Sequence, residues 1–351
     1  MTASFLLYGS YGYTGRLIVR RAVERGLEPV LSGRNEEALR AQSAETGAPY
    51  RAFPLDDSAA VDAGLEGVGV VLHAAGPFSR TSAPMAAACL RTGTHYLDIT
   101  GEIEVFESLA ARDHQARAAG IMLLPGVGFD VVPSDCLAAH LKRRVPSATS
   151  LALAIRGTGR LSRGTATTMV ENLPRGGRIR RGGALHRVPV AWRTREVDFG
   201  AGPVPVTTIP WGDVVTAYHS TGIPNVEVYA AMPTAMRRLL IAGRPFAPLL
   251  GLRPIQRALK AAIRRRPPGP TDEQRARAGS RVWGEASDEE GRRAVSRLLG
   301  PDGYTITAVA AVAVVEKVLA GRAPAGFRTP SLAYGSDFAL EIEGVQREDV
   351  L

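Results

Sequence analysis

Apolar and polar positions alternate in blocks along the first part of the chain. Residues 4–8 (SFLLY) predict a first β-strand, and residues 13–25 predict a helix that stops at Gly26. Further apolar runs predict strands at 29–32, 50–55, 67–75, 95–99 and 121–124, with amphipathic helical stretches between them. Strands that alternate with crossover helices form parallel sheets, so six strands by about residue 125 predict a doubly wound Rossmann domain.

The pattern changes near Pro133. A strand at 150–155, a helix at 164–172, a Gly- and Arg-rich loop at 174–183 and strands at 204–209 and 226–231 predict a mixed sheet. A turn at 288–291 separates strands at 283–287 and 292–299, and residues 305–319 predict a buried helix that returns to the first sheet. The fold class is therefore α/β, with an N-terminal Rossmann doubly wound parallel sheet and a second α+β mixed-sheet domain. We expect residues 1–134, completed by 305–351, to form the first domain, and residues 135–304 to form the second.

A glycine-rich loop joins the first strand to the first helix. It has the form G-x-x-G-x-x-G, in which tight turning and close approach of the backbone to a pyrophosphate both require glycine. The helix N-terminus behind such a loop favours an anion. The loop consists of Gly9, Ser10, Tyr11, Gly12, Tyr13, Thr14 and Gly15. It predicts a dinucleotide site.

The end of the second strand indicates which dinucleotide binds. NAD enzymes usually place a carboxylate there, whereas an arginine accommodates the 2′-phosphate of NADP. The chain reads Leu31-Ser32-Gly33-Arg34-Asn35, so Ser32 and Arg34 offer a hydroxyl and a planar donor to a phosphate. We therefore favour NADP(H) over NAD(H), the alternative for Arg34 being a solvated residue at the start of the next helix.

Composition excludes several classes of protein. Only Cys89 and Cys136 are present, so neither a disulfide framework nor a cysteine zinc site is expected, and we expect no metal. The sequence begins without a secretory leader pattern, and its longest apolar run, 305–315, is shorter than a membrane span, which favours the cytoplasm. The formal net charge is +9, but no nucleic-acid-binding motif accompanies it, so no nucleic-acid partner is expected.

Several motifs together resemble one known family. They are YGSYGYTGR, LSGR, HAAGPF (73–78), GTHYLDITGE (93–102) and PGVGFDVVPSD (125–135), with looser agreement at PWGD (210–213) and WGEA (283–286). The chain resembles the saccharopine dehydrogenase-like oxidoreductases, and within them the shorter branch that includes the trans-acting enoyl reductases of bacterial polyketide lipids. The resemblance covers nearly the whole chain.

This resemblance implies a site at the carboxyl ends of the strands. The glycine loop would hold the pyrophosphate, and Ala75, Gly76 and Pro77 would admit the nicotinamide ribose. The loops 98–102 and 126–130 would face the nicotinamide, so Asp98, Glu102 and Asp130 are the candidate catalytic acids. Each could instead cap a helix or bond turn amides. His73, inside a buried strand, is interpreted as a core residue.

The resemblance implies NADPH-dependent reduction of a C=C bond in an enoyl or lipid-type substrate. Two alternatives remain open: imine reduction or amine oxidation of a saccharopine-like amino acid, and a non-catalytic NADPH sensor. The amino-acid alternative needs carboxylate anchors, for which the candidates are Arg156, Arg160, Arg163 and Arg175. A short-chain dehydrogenase is excluded because no tyrosine has a lysine four positions later. None of the three lysines lies at a strand end, which excludes a Schiff base.

Residues 235–266 interleave arginines with leucines. This composition is typical either of an interfacial helix on anionic lipid or of an amphipathic helix packed on its own domain with solvated arginines. Peripheral membrane contact through this segment is therefore one hypothesis. A homodimer is the default expectation for assembly, since closed two-fold assemblies are the commonest.

Overall fold

The computed structural model describes residues 4–351. The chain divides into two compact units. Unit 1 runs to Val132 and includes Tyr304–Tyr334, and unit 2 comprises Pro133–Gly303 and Gly335–Leu351.

Unit 1 is a seven-stranded parallel sheet with strand order β15-β6-β5-β4-β1-β2-β3. Its strands are β1 Ser4–Tyr8, β2 Pro29–Gly33, β3 Tyr50–Ala52, β4 Val68–His73, β5 His95–Asp98, β6 Met122–Leu124 and β15 Gly326–Phe327. Its helices are α1 Tyr13–Glu24, α2 Glu36–Thr46, α3 Ser58–Gly64, α4 Phe78–Thr92, α5 Ile103–Ala110, α6 Asp113–Ala118, α13 Gly303–Leu319 and α14 Pro330–Tyr334. The order is that of a Rossmann sheet extended by one strand, so the predicted doubly wound domain is confirmed.

Local signals explain where several of these elements begin and end. The Asn35 side chain accepts a hydrogen bond from the Ala38 amide and caps α2. Gly47 ends α2 in the left-handed conformation, with φ +74°. The central strands are buried because helices cover both faces of the sheet: Leu6, Leu7 and Leu72 are fully buried. Helix α13 is buried along most of its length, as its apolar run predicts.

Unit 2 contains a mixed nine-stranded sheet with a main path β10-β11-β12-β7-β13-β14-β16, to which the hairpin β8–β9 is attached at β12. Its strands are β7 Ser150–Gly157, β8 Gly177–Arg181, β9 Ala184–Val188, β10 Thr194–Asp198, β11 Pro203–Thr208, β12 Asn225–Ala231, β13 Gly279–Ser287, β14 Arg293–Pro301 and β16 Gln346–Asp349. Its helices are α7 Val132–Arg144, α8 Arg163–Asn172, α9 Asp213–Thr221, α10 Thr234–Ala242, α11 Arg253–Arg264 and α12 Asp272–Arg277. The second part of the predicted fold class is confirmed.

Two predictions about the second half were wrong. The loop expected at 174–183 contains strand β8, and its Gly182 and Gly183, both at positive φ, form the turn to β9. Paired Gly residues suit a two-residue hairpin turn, and arginines can occupy a strand when the partner strand satisfies the backbone. Residues 335–351 lie with unit 2 rather than unit 1, because β16 pairs with β14.

None of the helices within residues 4–351 combines the length and apolar character needed to cross a bilayer.

Candidate nucleotide-binding and active site

The glycine loop packs against backbone on both sides. Gly9 has φ +89°, and a Cβ there would lie 2.8 Å from the Cβ of Ala75, at the end of β4. A Cβ on Gly15 would lie 2.3 Å from the carbonyl oxygen of Gly9 and 2.7 Å from that of Ser10. These obstacles at Gly15 are backbone atoms and cannot rotate away. The loop therefore needs glycine for its own geometry.

Strand β2 and helix α2 hold the loop in place. The amides of Gly9 and Ser10 both donate to the Ser32 carbonyl, at 2.7 and 3.2 Å. The Ser10 hydroxyl donates to Gln42 Oε1 at 2.8 Å, and Gln42 Nε2 donates to the Ser10 carbonyl at 3.0 Å. Both side chains are buried. Ser10, a predicted cofactor ligand, thus has its hydroxyl engaged within the protein.

Gln42 is a site residue that the sequence analysis missed. It lies three residues after Leu39, and these two are the residues that α2 buries. Residues three apart lie on the same face of a helix, so the spacing from Leu39 could have indicated that the Gln42 side chain is buried. Its two hydrogen bonds make it a positioning residue for the loop.

The N-terminus of helix α1 has features that favour an anion. It begins at Tyr13 with Gly12 as N-cap, and within the described structure no side chain caps it there. Its first turn contains no acidic residue that would offset the positive end of the helix dipole. The Tyr13 ring packs edge-on against Tyr304 at 5.1 Å, while Thr14 is half-buried. The loop and the helix end therefore fit a pyrophosphate.

The two predicted phosphate ligands at the end of β2, Ser32 and Arg34, differ in exposure. The Ser32 hydroxyl is buried and donates to the Arg51 carbonyl at 2.8 Å. Arg34 is exposed, one residue beyond the strand. Between them, the Tyr11 ring lies so close to Gly33 that a Cβ there would be 2.5 Å from it. Arg34 is thus the accessible cation at this strand end, and no carboxylate occupies residues 31–35.

The end of β4 borders the glycine loop. Ala75 and Pro77 are half-buried and Gly76 is exposed. The Thr81 hydroxyl donates to the Ala75 carbonyl at 2.8 Å, which links this segment to the first turn of α4. The side chains at residues 75–77 are small, so they add little bulk beside the glycine loop.

Asp98 joins the loops that follow β5 and β6. Its Oδ1 accepts hydrogen bonds from the amides of Thr100 and Gly126, both at 2.9 Å, and its Oδ2 accepts from the Tyr96 hydroxyl at 2.7 Å. The carboxyl is fully buried, and this burial raises its pKa to about 6. With both oxygens engaged, Asp98 has the contacts of a positioning residue.

Glu102 caps a helix other than its own. Its two carboxylate oxygens accept hydrogen bonds from the amides of Phe78 at 2.8 Å and Ser79 at 3.0 Å, at the start of α4. A carboxylate at a helix N-terminus is stabilised by the amides and by the dipole. Glu102 therefore fixes the segment that carries Ala75, Gly76 and Pro77.

Asp130 differs from both. Its Oδ2 lies 2.5 Å from the position of a Cβ on Gly101, so the two loops meet at this carboxyl. Burial, with no compensating charge or hydrogen bond among the described residues, raises its pKa to about 7. The preceding residues are held by α13, since the Phe129 amide donates to the Thr307 hydroxyl at 3.0 Å. Asp130 therefore has the protonation behaviour of a general acid near neutral pH.

Two histidines on the strands of this unit, His73 and His95, pack or hydrogen-bond within the sheet. His73 is fully buried beside the rings of Tyr8 and Phe78, and neither ring nitrogen has a hydrogen-bond partner among the described residues. Burial lowers its pKa to about 3, so the ring is neutral. His95 Nδ1 accepts from the Met122 amide at 3.0 Å.

The glycine loop after β1, the N-terminus of α1 without a side-chain cap and the strand order define unit 1 as a Rossmann-type dinucleotide-binding unit. Residues 5–124 match the family model of the saccharopine dehydrogenase NADP binding domain. Residues 5–124 are thus similar to the NADP-binding domain of saccharopine dehydrogenases, and NADP(H) is the cofactor that this match supports. The resemblance to saccharopine dehydrogenase-like proteins is confirmed.

Similar proteins extend this result. A trans-acting enoyl reductase of Mycobacterium leprae (strain TN) is 36% identical over 148 residues, which cover 40% of this chain and 35% of that protein. A trans-acting enoyl reductase of Mycobacterium ulcerans (strain Agy99) is 34% identical over 147 residues, with the same coverage. The matched stretch is thus about a third of the length of these relatives. Apo saccharopine dehydrogenase (L-Glu forming) from Saccharomyces cerevisiae shares the fold, with a TM-score of 0.69 at 12% identity over 99% of this chain and 100% of that one.

Proposed function

We propose that this protein is an NADPH-dependent oxidoreductase that reduces a C=C bond in an enoyl or lipid-type substrate. The observation that carries the proposal is the 36% sequence identity, over 148 residues, to a trans-acting enoyl reductase. It is found in a chain in which residues 5–124 match an NADP-binding domain. NADPH supplies the hydride in such a reduction. The protein has to bind and orient the cofactor, exclude water and deliver a proton.

The proposed cofactor contacts follow from the geometry of unit 1. The backbone of residues 9–15 would hold the pyrophosphate, and Arg34 would bind the 2′-phosphate with a planar pair of donors. Ser10 and Ser32 would act through the backbone, because their hydroxyls are engaged with Gln42 and the Arg51 carbonyl. Ala75, Gly76 and Pro77 would leave room for the nicotinamide ribose.

The proposed proton donor is Asp130. Reduction of a C=C bond conjugated to a carbonyl places a hydride on one carbon and a proton on the other. An acid whose pKa is about 7 is about half protonated at pH 7 and can release the proton. Asp98 and Glu102, whose oxygens accept hydrogen bonds from protein donors, would position the loops around it.

The first test is a titration of the full chain with NADPH and NADH. We expect a preference for NADPH that an Arg34→Ala variant loses by roughly 10- to 100-fold, the worth of charge-assisted bonds to a phosphate. NADH affinity should remain. Arg40→Ala is the matched control, since Arg40 is an exposed arginine on α2 paired with Glu36. Equal loss in both variants, or no preference in the parent, would contradict the role of Arg34.

Turnover is the second test. NADPH oxidation is followed with 2-enoyl thioesters of increasing chain length, and in parallel with imines formed from an amino acid and an aldehyde. A saturated thioester product supports the proposal. Turnover with imines alone would assign the saccharopine-type reaction instead, and tight NADPH binding without any turnover would leave the sensor alternative.

A further inference from the structure

The positive charge of this protein is concentrated in one segment of unit 2. Residues 234–266, here called the arginine-rich segment, contain nine Arg and Lys residues and no Asp or Glu. The formal net charge of the entire chain is +9, so the rest of the sequence is neutral overall. This segment therefore accounts for the net positive charge that would attract an anionic partner.

The second half of the arginine-rich segment is accounted for by packing. Helix α11 lies on α8, where Gln256 Nε2 donates to the Val170 carbonyl at 2.9 Å and Lys260 forms an ion pair with Glu171. Ile255 and Leu259 are half-buried and Ile263 is buried, at the four-residue spacing of one helix face. For α11 the structure therefore agrees with the second interpretation of the sequence, an amphipathic helix packed on its own unit.

The first half has a different surface. All nine residues of α10 are described, and none of them is buried, although the helix contains Met236, Leu239 and Ile241. A helix of this length is unstable in water without a packed face. Six large apolar side chains across α10 and the following turns are between 39% and 72% exposed: Met236, Leu239, Ile241, Phe246, Leu249 and Leu252. We call these six the apolar patch.

Aromatic and cationic groups accompany the patch. A 3₁₀ helix, Arg244–Gly251, follows α10. Arg244 donates to the carbonyls of Val190 and Ala191, at 2.8 and 2.6 Å, and so places the next residue, Trp192, close to the start of this 3₁₀ helix. Trp192 is 40% exposed. Exposed Arg238 lies between Met236 and Leu239 of the patch, and exposed Arg253 directly follows Leu252. Apolar side chains and an exposed tryptophan among cations form the pattern that anionic lipid interfaces attract.

We propose that the apolar patch and the arginines around it dock unit 2 onto an anionic lipid bilayer. The patch would enter the boundary between headgroups and acyl chains, while the arginines remain at the level of the anionic headgroups. The apolar side chains favour a lipid surface over an acidic soluble protein, which the charge alone would also attract. This inference does not rest on the reaction assigned to the protein.

The test is flotation of the full-length protein with vesicles of phosphatidylcholine, with and without phosphatidylglycerol, at low and high salt. We expect binding to the anionic vesicles that weakens as salt rises. The double variant Arg238→Gln/Arg253→Gln should bind roughly 30-fold more weakly, from the contribution of two basic residues at the surface. The double variant Leu239→Gln/Phe246→Gln should lose roughly 10- to 100-fold through lost apolar burial.

Matched controls change the same residue types elsewhere. Arg187→Gln/Arg322→Gln removes two other exposed arginines, and Val23→Gln/Leu332→Gln removes two apolar side chains that are 51% and 45% exposed. Both should bind vesicles like the parent. The proposal would be overturned if the parent did not float with anionic vesicles at low salt, or if both patch variants floated as well as the parent. Binding to an acidic carrier protein in the absence of vesicle binding would also overturn it. NADPH titration of each variant checks that it is folded, and a failure of NADPH binding in the parent would bear only on the proposed reaction.

Discussion

Replacement of Gly15 by alanine tests whether the glycine loop is shaped by backbone contact. The new Cβ would lie 2.3 Å from the Gly9 carbonyl oxygen and 2.7 Å from the Ser10 carbonyl oxygen. Ordinary contact requires more than about 3.3 Å, so the loop must retreat from α1 by about 1 Å. Overpacking of this kind costs roughly 1–3 kcal/mol. Alanine is otherwise the better helix residue by about 1 kcal/mol, so any loss measures the clash.

The larger effect should fall on cofactor binding. A loop displaced by about 1 Å misaligns the amides proposed to face the pyrophosphate, and loss of two charge-assisted hydrogen bonds at ~1.5 kcal/mol each weakens binding by roughly 100-fold. Isothermal titration with NADPH and thermal unfolding measure the two effects. Gly12→Ala, whose Cβ would meet the Gly9 carbonyl oxygen at 3.2 Å, should show an intermediate loss.

The control for this series is Gly164→Ala in the first turn of α8. Its Cβ would lie 3.7 Å from the Ser162 hydroxyl, which is ordinary contact. That variant should bind NADPH like the parent and be as stable or slightly more stable. If Gly15→Ala retained parental NADPH affinity and unfolding temperature, the contact argument for the loop would be refuted.

Two further substitutions test the positioning residue and the acid. Gln42→Leu should lower the free energy of unfolding of unit 1 by about 2–4 kcal/mol and weaken NADPH binding, because it leaves the buried Ser10 hydroxyl and carbonyl without their partner. The control is Gln115→Leu, at an exposed position of α6. Equal stability of the two variants would exclude the role of Gln42. For Asp130 the pKa rises from 3.8 to about 7 on folding, so the folded chain binds this proton more tightly. The stability that the protonated carboxyl provides is therefore lost as pH rises from about 4 to about 7, on the order of 4 kcal/mol. Asp130→Asn should flatten the pH dependence of the free energy of unfolding, measured in urea, and should abolish the fall of kcat/KM above about pH 7. The control Glu102→Gln, at a helix cap, should keep the pH profile of kcat/KM. An unchanged kcat/KM profile in Asp130→Asn would remove Asp130 from the proton route.

The three predicted acids show how far residue type alone can identify chemistry. Asp98, Glu102 and Asp130 all follow strands at the expected edge of the sheet, and the sequence offers no way to rank them. The structure distinguishes them by their surroundings. Asp98 accepts hydrogen bonds from two amides and a tyrosine, and Glu102 accepts them from two amides. Asp130 is half-buried, and its carboxyl lies beside Gly101. Those differences depend on residues 20 or more positions away, such as Gly126 for Asp98 and Phe78 for Glu102.

The sequence by itself determined the features that depend on local backbone chemistry. The glycine loop, the Asn35 cap and the left-handed Gly47 are each dictated by what one residue type permits over a few positions. The alternation of apolar strands with helices sufficed for the parallel sheet, because burial on both faces demands continuous apolar runs.

Only the tertiary structure decided the features that depend on partners distant in sequence. Gln42 acts on Ser10 across 32 positions, and β16 pairs with β14 although the sequence analysis placed it in the other unit. Strand β8 forms from an arginine-rich stretch because β9 and β12 complete its hydrogen bonds. The arginine-rich segment was ambiguous in sequence for the same reason. Helix α11 has a partner in α8, whereas α10 leaves Met236, Leu239 and Ile241 exposed, and the mixture of arginines and apolar residues does not show which helix is packed.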